Sequence, residues 1–108
     1  MTLAKLTRAI ALSLLAASPP TALAQLRSIP TAAQRGEIRH VQGMLVEIDG
    51  KRILLAPGAQ IRDTSNRIIM PAALPPGAPI RYLLDVQGMP ARIWLLSPAE
   101  AAQADPNH

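Results

Sequence analysis

Residues 44–55, MLVEIDGKRILL, decide the fold, because they predict a β-hairpin whose register is fixed by its own residues. Asp49-Gly50 is a preferred two-residue type I′ loop, since both loop residues must take φ > 0. Folding the chain there places Glu47 opposite Arg52 as a charge pair on one face. The other face carries the apolar side chains that need a core, namely Met44, Val46, Ile48, Ile53 and Leu55.

The segments on either side of this hairpin predict further short strands that alternate with turn residues. Residues 37–48 are expected to form one long strand with a bulge or sharp bend at Gln42-Gly43, where the apolar positions change face. Further strands are expected at 60–63, 67–70, 80–85 and 91–96. Five or six short strands with hardly any helix between them predict an all-β domain over residues 36–96, an OB-like or SH3-like barrel.

A short helix is expected to close the domain. Ser97-Pro98-Ala99-Glu100 places Ser at the N-cap, Pro at the first helical position and Glu two residues further on, which is a capping box. Helix propensity continues to Ala104, and Asp105-Pro106 ends it. Residues 97–108 are therefore predicted to be a short helix and a tail.

The first 24 residues have the pattern of a secretory signal peptide. Lys5 and Arg8 form a basic region, residues 9–17 are apolar, and Ala22-Leu23-Ala24 is a small-x-small cleavage pattern. The apolar run is too short to span a bilayer, so no membrane span is expected after cleavage. The sequence therefore predicts a periplasmic or secreted protein, with residues 25–35 as a flexible leader to the domain.

The composition limits how the exported domain is stabilised and what it binds. The chain has no cysteine, so packing or homo-oligomerisation must replace disulfides. Trp94 and Tyr82 are the only aromatic residues, which predicts an aliphatic core. Without Lys5 and Arg8, nine basic residues stand against seven acidic ones, a net of about +2, and the basic residues are spread singly. A nucleic-acid surface needs a basic stripe with stacking aromatic residues, so nucleic acid is not an expected partner.

The residue types that catalysis needs are scarce. A hydrolase needs a nucleophile, a base and an orienting carboxylate, and His40 is the only histidine besides the C-terminal residue. The seven acidic residues mostly fall in expected turns, which does not favour the paired carboxylates of glycoside chemistry. The sequence therefore predicts a non-catalytic protein without a cofactor.

Trp94 is the residue in the last strand that could mark a binding surface. The alternation of residues 91–96 places Arg92, Trp94 and Leu96 on one face. If this face is exposed, Trp94, Arg92 and Arg81 from the neighbouring strand form a partner-binding patch, since Trp and Arg are enriched in binding hot spots. The alternative is that Trp94 fills the core of a domain that contains no Phe.

Glycine, proline and apolar positions follow one another in a recognisable order between Gly36 and Glu100. The positions that carry this order are Gly43, Ile48-Asp49-Gly50, Pro57-Gly58-Ala59-x-Ile61-Arg62, Asn66-x-Ile68, Leu74-x-x-Gly77, Gly88 and Ile93-Trp94-x-Leu96-Ser97-Pro98-x-Glu100. The order resembles that of small exported proteobacterial proteins of unassigned function. More loosely, it is similar to the periplasmic OB-like barrels that include copper-efflux chaperones. The resemblance implies a fold and a compartment rather than an activity.

The copper comparison can be made residue by residue. In that family, Cu(I) is held by a His and by two Met in Met-x-Met spacing, under a Trp that caps the ion. The corresponding residue types here are His40, Met44, Met89 and Trp94, but no Met-x-Met is present. The methionines are therefore interpreted as core residues, and no metal site is predicted. The predicted function is a binding or adaptor module for a protein partner in the cell envelope, and a soft-metal (copper) binding protein is the alternative.

Overall fold

A computed structural model describes residues 27–103 and residue 105, so the predicted signal peptide, residues 1–24, lies outside the described residues. The described part is all-β with one short helix, as the sequence predicts. The strands are β1 Gln34–Gln42, β2 Leu45–Ile48, β3 Lys51–Leu54, β4 Gln60–Arg62, β5 Ile68–Ile69, β6 Ala78–Leu84 and β7 Pro90–Leu95, and the helix is α1 Pro98–Ala101. A single 3-10 turn, Pro71–Ala73, lies between β5 and β6.

The β2–β3 hairpin has the predicted register. Asp49 and Gly50 take φ values of 52° and 83°, as a type I′ turn requires. Glu47 pairs with Arg52, and the Nε atom of Arg52 lies 3.5 Å from the Oε2 atom of Glu47. The hairpin prediction is therefore confirmed in its turn, its register and its charge pair.

Residues 37–48 form two strands, and the prediction of one long bulged strand is wrong. Strands β1 and β2 pair antiparallel, and the chain reverses at Gly43-Met44, where Gly43 has a φ of 58°. Glycine takes this left-handed conformation without steric cost, so the predicted bend point is a hairpin turn. The register shift in this pair lies just before the turn, between His40 and Gln42.

The seven strands of the described residues lie in one mixed sheet, in the order β3-β2-β1-β6-β7-β4-β5. Neighbouring strands are antiparallel except β4 and β7, which are parallel. Seven strands replace the expected five or six because the predicted first strand is two strands. Strands β3 and β5 are the edges, and the sheet is not closed.

The short connection between β3 and β4 forces the sheet to curl. These strands are five strand spacings apart in the sheet order, which is about 24 Å in a flat sheet. The chain from Leu54 to Gln60 spans at most about 21 Å even when fully extended. Within this connection, the backbone N–H of Ala56 donates to the carbonyl of Pro90 at 2.9 Å. The sheet therefore rolls around so that the chain leaving β3 meets the start of β7.

An aliphatic core fills one face of the curled sheet, which we call the inner face. Ile38, Val46 and Ile80 are its most completely buried strand residues. Fully burying such a side chain stabilises the fold by about 1.5–3 kcal/mol. The whole cluster consists of Ile38, Val46, Ile48, Leu55, Ile61, Leu74, Ile80, Ile93 and Leu95, with Tyr82 half-buried against it.

The C-terminal helix has the predicted capping box. The Oγ atom of Ser97 accepts a hydrogen bond from the N–H of Glu100 at 3.2 Å, and the Oε1 atom of Glu100 accepts one from the N–H of Ser97 at 2.9 Å. The helix ends at Ala101, and Ala104 lies outside the described residues. In the part of the chain that the structure describes, no helix has the length and apolarity needed to cross a membrane.

Residues 27–33, which we call the strap, lie against the face of the sheet opposite the core, the outer face. The sequence predicts a flexible leader at 25–35, whereas the structure has Gln34 and Arg35 in β1. Side chains of Arg27 and Arg81 tie the strap to the sheet and to α1 by hydrogen bonds. The strap thus packs on the same face of the sheet as Trp94.

Candidate binding face around Trp94

Trp94 lies on the outer face of β7, opposite the core side chains of Ile93 and Leu95 on the same strand. It is only 3% exposed, so it is buried although it is not part of the aliphatic cluster. Arg92, two residues earlier on the same face, is exposed and places its Cζ atom 5.0 Å from the centroid of the Trp94 ring. This geometry is a cation–π contact.

Three arginine residues lie in register with Trp94 across four strands. Trp94 pairs with Arg62 on β4 and with Arg81 on β6, and Arg81 pairs in turn with Arg35 on β1. Directly paired residues point to the same face of a sheet. The outer face therefore presents four arginine side chains around one indole ring, those of Arg35, Arg62, Arg81 and Arg92.

Main-chain carbonyls rather than carboxylates accept hydrogen bonds from Arg35, Arg62 and Arg81 on this face. Arg35 donates to the carbonyls of Ala101 and Gln103 at 2.9 and 3.0 Å, and Arg62 donates to the carbonyl of Asn66 at 2.9 Å. The ion pairs among the described residues belong to other arginines, namely Arg27, Arg39, Arg52 and Arg67. The surroundings of Trp94 are therefore electropositive and suit an anionic group.

Arg81 holds the strap on one side of Trp94. Its guanidinium donates to the carbonyls of three strap residues, Pro30, Thr31 and Ala33, at 3.0 to 3.2 Å. Ala33 is fully buried there. Since Arg81 is the direct partner of Trp94 in the β6–β7 pairing, this end of the strap lies beside the indole.

Arg27 holds the strap on the other side of Trp94. It donates two hydrogen bonds of 2.9 Å to the carboxylate of Glu100 on α1 and one of 2.7 Å to the carbonyl of Asp63. It also donates to the carbonyl of Leu95, the residue after Trp94. The two attachment points therefore lie at the strand positions of Trp94 and Leu95.

The Arg27–Glu100 pair is partly desolvated, with side chains only 10% and 17% exposed. Burial alone would raise the pKa of Glu100, but hydrogen bonds from Arg27 and from the N–H of Ser97 outweigh burial. The resulting pKa of Glu100 lies below its usual value of 4.5. The carboxylate is therefore ionised at neutral pH, and the pair links the strap to α1.

The predicted partner-binding residues Trp94, Arg92 and Arg81 lie together on the outer face. The structure adds Arg35 and Arg62 to this group through strand pairing, and it adds Arg27 through the strap. Sequence reasoning missed these three because the β1–β6 pairing, the β4–β7 pairing and the contacts of Arg27 all join residues far apart in the chain. The sequence feature that could have indicated them is the presence of basic residues outside the periodic segments, of which Arg27 is the clearest.

The candidate soft-metal residues have other contacts in this fold. The Nε2 atom of His40 lies 3.0 Å from the carbonyl of Gly43, and Trp94 is stacked with Arg92. The interpretation of the methionines as core residues is wrong for Met44 and Met70, which are 40% and 72% exposed, while Met89 is half-buried in the turn before β7. Over the described ranges, no group of three or more His, Cys, Asp or Glu side chains is placed to hold a metal ion.

A shallow cleft of about 200 Å³ lies where the Asp49-Gly50 turn meets β1, and three carboxylates line it. The carboxylate of Asp49 accepts a hydrogen bond from the N–H of Glu37 at 2.9 Å. Glu47 lies 2.6 Å from Arg39, and the hydrogen bond from that arginine lowers the pKa of Glu47. A general acid near neutral pH needs a raised pKa, whereas the pKa of Glu47 is lowered, and the hydrogen bond from the N–H of Glu37 gives Asp49 a structural role.

Comparisons of the chain with protein-family models, with curated proteins and with solved structures found no match. The residues and their geometry therefore provide the evidence for function. The electropositive outer face around Trp94 is the arrangement in the described residues that best fits recognition of another molecule.

Proposed function

We propose that this chain is an exported, non-catalytic binding module of the cell envelope, and that its outer face around Trp94 binds an acidic segment of a partner protein. The observation that carries the proposal is the group of arginine side chains around Trp94, in which Arg35, Arg62 and Arg81 donate to main-chain carbonyls and Arg92 stacks on the indole ring. A guanidinium group presents several donors in a fixed fork, which matches the two oxygens of a carboxylate. Arg92 is the exposed member of the group and makes the first contact with the partner.

A protein partner fits this face better than a membrane surface does. Binding in a membrane interface needs an exposed apolar or aromatic side chain beside the cationic ones. Trp94, the aromatic residue on the outer face, is only 3% exposed, and the exposed apolar side chain beside the arginines is the single Ile68, which pairs with Arg62. Charge complementarity without an exposed aromatic anchor favours an acidic polypeptide, for which opposite potentials steer association.

The scaffold of this module, in our proposal, is an OB-like barrel of the partly open kind. Its third strand would consist of β3 and β4, interrupted at Pro57-Gly58. The parallel pairing of β4 with β7 and the hydrogen bond from Ala56 to Pro90 support this interpretation, since they bring the chain after β3 alongside β7. The arrangement would hold the outer face rigid, as a binding surface requires.

Titration of the purified protein with poly-L-glutamate at low salt tests the proposal. We expect binding that weakens as salt is raised, because exposed charges are screened. Arg92→Ala should lower the affinity about fivefold, which corresponds to about 1 kcal/mol. Arg52→Ala is the matched control, since Arg52 is also an exposed arginine but lies on edge strand β3. Absence of binding at low salt, or an equal loss in both variants, would contradict the proposal.

A soft-metal site remains the second candidate, and one observation favours it. The N–H of Leu55 donates to the carbonyl of Met44, and the N–H of Ala56 donates to the carbonyl of Pro90, both at 2.9 Å. The turns that carry Met44 and Met89 therefore lie on either side of the Leu55-Ala56 dipeptide. Titration with Cu(I) tests this candidate directly. A stoichiometric complex that Met44→Leu weakens, and Met70→Leu does not, would favour it over the acidic-partner proposal.

A further inference from the structure

We infer that the acidic partner segment binds as an additional β-strand along edge strand β5, with acidic side chains on the outer face and apolar side chains on the inner face. This inference rests on the proposed function, because it states how the partner is held and which side-chain pattern it has. Three observations support it, namely the open hydrogen-bonding groups of β5, the exposed apolar residues along this edge and the positive charge beside it.

The free edge of β5 presents backbone groups to a partner. Strand β5 is the last in the sheet order, and among the described strands only β4 lies beside it. In an antiparallel pair, hydrogen-bonded and non-hydrogen-bonded residue pairs alternate. The N–H of Asp63 donates to the carbonyl of Arg67 at 2.8 Å, so the next pair, Arg62 with Ile68, is non-hydrogen-bonded. Ile68 therefore directs its N–H and its carbonyl away from β4, towards the open edge.

The edge is extended and apolar beyond β5 itself. Met70, the residue after β5, has an extended backbone with φ −83° and ψ 154°. Ile68 and Met70 are 57% and 72% exposed, whereas Ile69 between them is half-buried and packs against the aliphatic core. An exposed edge of this kind is a template for pairing with a further strand, in which main-chain hydrogen bonds supply affinity.

The charge beside this edge favours an acidic segment. Arg62 lies next to Ile68 on the outer face, and its guanidinium donates to the carbonyl of Asn66 at 2.9 Å, in the turn between β4 and β5. Arg67 at the end of this turn is 78% exposed, and the acidic residue of the turn, Asp63, lies 3.8 Å from it. Two guanidinium groups and one carboxylate leave this end of β5 positive. Carboxylates on the outer side of an added strand would meet that charge.

A second copy of this chain fits the edge less well than an acidic segment does. Pairing of two β5 edges would bring Arg62 and Arg67 of both copies together, and like charges on neighbouring strands are destabilising. The other edge strand, β3, carries Lys51 and Arg52, which opposes pairing of β3 with β5 in the same way. The inner side of an added strand meets Ile69 at the margin of the core. The segment is therefore expected to alternate acidic and apolar residues.

The first test uses the wild-type protein and a short labelled peptide of alternating Glu and Val, with two further versions that are N-methylated at every Glu or at every Val. Successive residues of a strand direct their N–H groups to opposite edges, so an added strand turns only one of the two sets towards β5. We expect one methylated version to bind about tenfold more weakly at low salt, and the other to bind like the parent peptide. Fluorescence anisotropy measures the affinities. Equal affinities of the two methylated peptides would overturn the inference.

The second test compares Ile68→Pro with Leu54→Pro in the complete protein. The N–H of Leu55 donates to the carbonyl of Met44, so by the same alternation the N–H of Leu54 also points to an open edge, that of β3. Leu54 is 54% exposed, which matches Ile68, and proline removes the N–H at either position. We expect Ile68→Pro to weaken binding of the parent peptide about tenfold and Leu54→Pro to leave it unchanged. Circular dichroism shows whether each variant is folded, and the methylated peptides test the inference without any variant.

The outcomes distinguish failure of this inference from failure of the proposed function. If the wild type binds poly-L-glutamate in a manner that Arg92→Ala weakens, but neither Ile68→Pro nor methylation has an effect, the proposed function stands and strand addition is overturned. A greater loss in Leu54→Pro would overturn the inference in favour of β3. A wild-type dimer that Ile68→Pro dissociates would overturn it in favour of a second copy. If the wild type binds neither the peptide nor poly-L-glutamate at low salt, both proposals fail.

Discussion

The inner and outer faces of this one sheet are stabilised by different physical interactions. On the inner face, aliphatic side chains are buried together, and their contribution grows with the apolar area removed from water. On the outer face, guanidinium groups bind specific carbonyl and carboxylate oxygens and hold both the strap and α1. The first kind of stabilisation is spread over many residues and has no direction. The second depends on a few residues with fixed geometry, which suits a binding surface.

The largest expected effect lies on the inner face. Ile38→Ala should lower the free energy of unfolding by about 3–4 kcal/mol, because it leaves a cavity among fully buried neighbours. Urea denaturation followed by circular dichroism measures this loss. Leu54→Ala on edge strand β3 is the control, since Leu54 is 54% exposed and should lose little. Equal losses at the two positions would show that the inner face is not the main source of stability.

The next effect separates the two faces. Arg27→Gln should lower the free energy of unfolding by about 2 kcal/mol, because it removes charge-assisted hydrogen bonds in a partly desolvated site. Arg67→Gln should change it by less than about 0.5 kcal/mol, as expected for an exposed pair. Both are measured by urea denaturation at low and high salt. A loss no greater for Arg27 than for Arg67 would remove the outer face as a source of stability.

A smaller effect tests whether space, as well as apolar area, limits the inner face. A Cβ atom at Gly36 would lie 3.1 Å from the Cγ2 atom of Ile48 and 3.1 Å from the Oδ2 atom of Asp49. Gly36→Ala should therefore lower the free energy of unfolding by about 1 kcal/mol, through a shift of the hairpin turn. Denaturation measures the loss, and the NMR shift of the Asp49 amide reports the movement of the turn. An unchanged free energy would mean that the hairpin adjusts without strain.

The smallest expected effect is a loss of stability when the pH is lowered, and it concerns the outer face. The folded state lowers the pKa of Glu100 below 4.5, so the stabilisation from its pairing is present above about pH 4.5 and is lost as the pH falls through the folded-state pKa. The carbonyl acceptors of Arg27 remain, so the loss should be smaller than that in Arg27→Gln. Denaturation between pH 7 and pH 3 should show a shallower pH dependence in Glu100→Gln than in the wild type. Identical slopes would show that the pair does not contribute.

Local patterns in the sequence predicted the elements well. Asp49-Gly50 specifies its turn type by backbone conformation, and Ser97 and Glu100 specify the helix start by hydrogen bonds between close neighbours. The same reasoning misread Gly43, because a positive φ is compatible with either a bend within a strand or a reversal between two strands. The two possibilities differ in which strand pairs with the residues that follow Gly43. That pairing cannot be read from the neighbouring residues in the sequence.

For the candidate site, the sequence predicted the residue types but not whether they are buried or exposed. It grouped Trp94, Arg92 and Arg81, since alternation along a strand and adjacency of strands can be inferred from spacing. It left open whether the indole is exposed, and in the structure the indole is only 3% exposed. The roles of Arg27 and Arg62 depend on contacts between residues more than thirty positions apart, which spacing does not reveal.

The sequence by itself determined an all-β chain with a fixed hairpin, an aliphatic interior and a capped terminal helix, because propensity, turn conformation and capping act between residues close in the chain. Only the tertiary structure decided the order of strands, the parallel contact of β4 with β7 and the burial of Trp94 on the outer face. The reason is that guanidinium hydrogen bonds and parallel pairing join residues far apart in sequence, and many arrangements of the same local elements would satisfy the local rules equally well.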